Sequence, residues 1–114
     1  MQLAALFFAL AALGGLTLAG IRISGVPRPP TWMALAHGAI AATALITLLY
    51  AAATQPLPTI AFVALGCFIL AAAGGATIFV LFHLREKPLP IPLVIGHGAI
   101  AVTAFVLLLI GIFA

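Results

Sequence analysis

The chain has 114 residues, 67% of them hydrophobic and 4% charged, with a mean hydropathy of +1.45, so it lacks the polar surface needed to cover a water-soluble globule. Its net charge of +3 comes from four basic residues and one acid, all in two short turns, and this speaks for membrane topology and against nucleic acid. One cysteine, Cys67, excludes an internal disulfide and a thiolate metal cluster; the shortage of acids excludes paired-carboxylate chemistry, and no Ser-His-Asp set or phosphate loop is present.

A membrane-spanning helix needs roughly 20 mainly apolar residues, and the sequence predicts four of them, about 2–21, 32–53, 58–83 and 91–113. The first ends in small residues but lacks a basic leader region, so it is expected to be a retained span and not a cleaved signal peptide. A turn with Arg22, Gly25, Pro27, Arg28, Pro29 and Pro30 leads to the second helix, where Trp32 and Tyr50 mark the two membrane interfaces. The next turn, Gln55, Pro56 and Pro58, is uncharged. Arg85, Glu86, Lys87, Pro88 and Pro90 come after the third helix, with His83 expected at the interface. The positive-inside rule then makes loops 22–31 and 84–90 cytoplasmic and both termini external, with a bacterial inner membrane as the expected location.

Shifting the sequence by 60 positions aligns 1–54 with 61–114 without a gap, and 18 of the 54 pairs are identical. One block pairs Gly14, Gly15 and Thr17 with Gly74, Gly75 and Thr77; another pairs His37-Gly38-Ala39-Ile40-Ala41 with His97-Gly98-Ala99-Ile100-Ala101. The expected architecture is therefore an all-α membrane protein: a single domain, 1–114, in which two tandem helical hairpins form a four-transmembrane-helix bundle. An even number of spans per unit implies a pseudo-two-fold axis along the membrane normal.

Counting outward from positions 26 and 86 brings Gly14, Gly15, His37, Gly74, Gly75 and His97 to one depth, roughly 10–15 Å from the cytoplasmic ends of the helices. Ala34, Ala41 and Ala44 flank His37, and Val94, Ala101 and Ala104 flank His97, a stripe of small residues that turns both imidazoles toward the bundle interior. No span holds a carboxylate, which leaves Thr17, Thr43, Thr77, Thr103 and backbone carbonyls as protein partners. Diagonal helices would stand roughly 12–14 Å apart, a gap that a flat metallomacrocycle would fill, its metal taking one nitrogen from each side.

In this arrangement the chain resembles the compact four-helix cores of membrane b-type cytochromes. The resemblance covers all four helices as a pattern and carries no diagnostic motif. It implies haem b with iron held by His37 and His97, Gly14, Gly15, Gly74 and Gly75 making room for the ring, and Arg22 and Arg85, with Arg28 and Lys87, reaching toward its propionates. Many such cores hold two haems, whereas one symmetric histidine pair is present here. The function expected is electron transfer with a quinone or a redox partner subunit and not conventional enzymology. The alternatives are a pigment- or metal-holding accessory subunit, with a chlorophyll-type pigment on the histidines, and a small proton-coupled transporter, which the lack of an intramembrane acid disfavours. A homodimer or a larger complex is compatible with the apolar exterior.

Overall fold

A computed structural model describes residues 1–114 as four helices joined by short turns: α1 Gln2–Ile23, α2 Thr31–Thr54, α3 Thr59–Ile78 and α4 Ile91–Phe113. Each is long and apolar enough to cross a membrane, with α3 counted together with a π-helical continuation, Phe79–His83. Prolines set the helix starts, because Pro30, Pro58 and Pro90 stand just before the first helical residue, where a missing N–H costs nothing. The hydroxyls of Thr17, Thr43, Thr47, Thr54, Thr77 and Thr103 each donate to the carbonyl four residues earlier, at 2.7–2.9 Å. Such back-bonding satisfies a polar group without water or a neighbour. Of the partners left open for the histidines, threonine hydroxyls and backbone carbonyls, the carbonyls of Ala11 and Ala71 are the ones used.

The bundle measures 43 × 19 × 19 Å. α1 packs beside α2 and α4, and α3 beside α4 and α2, which makes α1/α3 and α2/α4 the diagonals. Interior packing is dense in the half away from the basic turns. Ala4, Leu48, Ala64 and Leu108 are buried there, and so are Phe8, Ala44, Phe68 and Ala104. Antiparallel counting makes each set of four a layer with large and small residues on adjacent helices, the arrangement that fills a bundle interior. Phe8 and Phe68 meet across the α1/α3 diagonal as stacked rings 3.6 Å apart and 4° from parallel. Every buried residue in these two layers has a buried counterpart 60 positions away.

The turn after α3 departs from the repeat. The Leu84 N–H bonds to the Phe79 carbonyl at 2.9 Å, five residues back, which defines the π-helical turn. An extra residue in a turn rotates the rest of the helix by roughly 100° about its axis. Position 83 is thereby carried inward: His83 is 3% exposed, while its repeat counterpart Ile23 is 57% exposed. The segment ends with Lys87 N–H on the Phe82 carbonyl at 2.9 Å and Glu86 N–H on the His83 carbonyl at 3.2 Å, around Glu86 at φ +57°. This is a Schellman-type helix end with a non-glycine residue at its left-handed position.

Candidate functional site

His37 on α2 and His97 on α4 face each other across the bundle, with ring centroids 6.3 Å apart and ring planes at 88°. Both rings are half-buried, and neither is turned out to lipid. The Nδ1–H of His37 donates to the Ala11 carbonyl at 2.8 Å, and that of His97 to the Ala71 carbonyl at the same distance. A carbonyl only accepts, so in the neutral imidazole the hydrogen belongs on Nδ1 and the free lone pair on Nε2. A ring nitrogen fixed in this way is the usual second support of a metal-binding histidine.

The glycine pairs explain how the rings reach those carbonyls. A Cβ on Gly15 would lie 3.0 Å from Cε1 of His37, and one on Gly75 would lie 2.9 Å from Cε1 of His97. Neither separation is an ordinary van der Waals contact, so a side chain at Gly75 would force a shift and one at Gly15 would require the ring to give by a few tenths of an ångström. Gly14 and Gly74 are different, since their added Cβ atoms would stand 3.7 and 3.8 Å from the nearest ring atoms. All four glycines expected to flank a cofactor face an imidazole, and the tight approach is at Gly15 and Gly75.

Ala11 and Ala71 adjoin the histidine layer on the densely packed side and are buried, with half-buried Ala41 and Ala101 at the same level. The next cross-bundle contact, Phe8 on Phe68, is seven residues along from Gly15 and Gly75, roughly 10 Å by helical rise. Toward the basic turns, Leu18, Ala34, Ile78 and Val94 are only half-buried. Nowhere in the chain do three His, Cys, Asp or Glu side chains converge.

At the basic end, four hydrogen bonds tie one hairpin to the other. Arg22 donates from Nε to the Leu89 carbonyl at 2.8 Å, and Leu89 N–H bonds to the Pro27 carbonyl at 3.0 Å, closing the α1/α4 seam. Arg28 donates from Nη1 to the His83 carbonyl at 3.1 Å, and Nε2 of His83 meets Oγ1 of Thr31 at 3.0 Å, closing the α2/α3 seam. His83 also stacks on Phe79, with centroids 5.2 Å apart. His83 stands at the last residue of the α3 span, the interfacial depth expected, and with the π-helical turn it is there a buried strut between hairpins. Arg22, expected to reach toward the histidine layer, has its Nε committed to a loop carbonyl, and Arg85 is exposed in the turn beyond His83. The sequence hint for this strut was the unmatched pair Ile23 and His83. No protein-family model, no curated protein and no solved structure matches this chain, and the functional reading therefore rests on the geometry around His37 and His97.

Proposed function

We propose that this chain is a membrane-embedded electron-transfer protein that holds haem b between His37 and His97. The observation that carries the reading is the 6.3 Å separation of two imidazoles whose Nδ1–H groups are fixed and whose Nε2 lone pairs are free. His37 and His97 would hold such a metal through their Nε2 atoms, and a centroid separation of 6.3 Å leaves room for one metal between the two rings. Two nitrogens are too few for a bare ion and suit a metal whose other four positions a macrocycle fills.

Bound haem supplies a one-electron iron couple. The protein's part is to hold both imidazoles in one tautomer, through Ala11 and Ala71, and to keep each ring seated on glycine. A chlorophyll-type magnesium, which takes a single axial imidazole, would leave the second histidine idle, so the pairing favours iron over a pigment. A proton-coupled transporter has no acid in any span on which to run. The offset of 60 between buried counterparts supports a pseudo-two-fold axis along the membrane normal, passing between the two rings. The four basic residues at one end support a cytoplasmic position for that end in a bacterial inner membrane. Electrons would be exchanged with a quinone or a partner subunit.

The test is a visible spectrum of the purified chain with haem. The expected result is a sharp Soret band with resolved α and β bands on reduction by dithionite, lost in His37→Ala and in His97→Ala. The near-perpendicular ring planes further predict a strongly anisotropic low-spin ferric signal in electron paramagnetic resonance. A chain that stays colourless after haem addition removes the proposal.

A further inference from the structure

We propose that His83 is the proton-linked group of the bundle, taking up one proton when the centre between His37 and His97 gains one electron; this rests on the reading above. Three observations point to it. The π-helical turn brings position 83 inside the bundle, where the repeat counterpart is an exposed isoleucine. Its Nε2 is joined to the Thr31 hydroxyl at 3.0 Å, and a hydroxyl both donates and accepts, so the bond survives with the imidazole neutral or charged. The chain has three histidines and a single acid, Glu86, and with His37 and His97 engaged, His83 is the remaining imidazole able to take up a proton.

Charge and distance make the coupling appreciable. His83 is eight residues along α3 and its continuation from Gly75, which is level with His97, so the two are offset by about 12 Å along the bundle axis. One unit charge at that distance, at an effective dielectric constant of about 20, changes a proton affinity about tenfold. The charged groups around His83 are Arg28, bonded to its carbonyl, and the exposed Arg85, Glu86 and Lys87 of its own turn; α2 and α4 carry none. One electron added at the centre lowers the positive charge facing the ring and so favours its protonation. In the balanced step, an external one-electron reductant supplies the electron, water at the basic end supplies the proton, and His83 becomes an imidazolium. Reoxidation returns both.

The experiment is a mediated redox titration of the haem-loaded full chain between about pH 5 and 9, with His83→Ile, which restores the first repeat's residue, and His83→Gln, which keeps a polar partner for Thr31 without titrating. The wild type is expected to show a midpoint potential that falls as pH rises, by a total equivalent to tenfold in affinity, about 59 mV for a one-electron couple. Both variants are expected to keep the haem spectrum and to lose the slope. A flat wild-type profile overturns the proposal, as does an unchanged slope in the two variants, which would assign the proton to the macrocycle's own carboxylates. A chain that binds no haem fails earlier, at the spectrum, and overturns the parent reading instead.

Discussion

The two ends of this bundle are made from the same duplicated hairpin, and they treat the duplication differently. Away from the basic turns, the buried pairs Ala4 and Ala64, Phe8 and Phe68, Ala44 and Ala104, and Leu48 and Leu108 are identical between repeats. At the basic end almost nothing matches: Arg22 stands opposite Phe82 in the alignment, Ile23 opposite His83, Arg28 opposite Pro88 and Thr31 opposite Ile91. The first region closes the bundle by shape, with apolar side chains that each hairpin supplies equally. The second fastens it by directed hydrogen bonds, in which a donor on one hairpin needs an acceptor on the other. Like residues can stack or interdigitate with one another, whereas a donor needs an unlike partner. The histidine layer lies at the boundary and belongs to the first kind, since His37 and His97 use the same carbonyl and the same glycine in their respective hairpins.

Six substitutions probe this contrast. Phe68→Ala removes one ring of the Phe8 stack and is expected to cost about 3 kcal/mol in a reversible micelle-unfolding titration, the usual scale for deleting a buried aromatic. A loss under about 1 kcal/mol would mean that the closed half does not depend on that stack. Gly75→Ala drives a methyl against His97 and is expected to cost about 1–3 kcal/mol and to weaken haem binding, while Gly98→Ala, whose Cβ meets nothing within 4 Å, leaves the haem spectrum unchanged. Equal behaviour of the two alanine variants would undo the assignment of Gly75 as the ring's seat. Thr31→Val deletes the bond to His83 and is expected to cost about 1 kcal/mol, against almost nothing for Thr103→Val, whose hydroxyl only bonds back along its own helix. The smallest effect is a gain: Glu86→Gly relieves a left-handed residue at φ +57° and is expected to raise stability by up to about 1 kcal/mol.

Much of the fold was legible in the residues because a membrane leaves the chain few choices. Apolar length gave the four helices with ends shifted by one or two residues, and Pro30, Pro58 and Pro90 fixed the starts of three. The depth of His37 and His97 came from counting, since helical rise is constant. The fate of the polar partners was less legible. Which carbonyl takes each Nδ1–H depends on a close helix approach at Gly15 and Gly75, and residue spacing alone does not say whether a glycine receives a neighbour's side chain or a ligand. Arg22 shows the same limit, because a flexible guanidinium near a membrane surface has many acceptors in reach and Leu89 belongs to the other hairpin.

A duplicated helical hairpin, four candidate spans and one histidine per repeat at matching depth can all be read from the order of residues, because hydropathy and periodicity are local properties that need no fold to be evaluated. The carbonyl partners of the two imidazoles, the unequal roles of Gly14 and Gly15, and the inward position of His83 arise only when the helices pack. Those outcomes turn on ångström-scale approaches between helices and on a single π-helical turn, which Thr31 and Arg28 of the other hairpin hold through hydrogen bonds to His83.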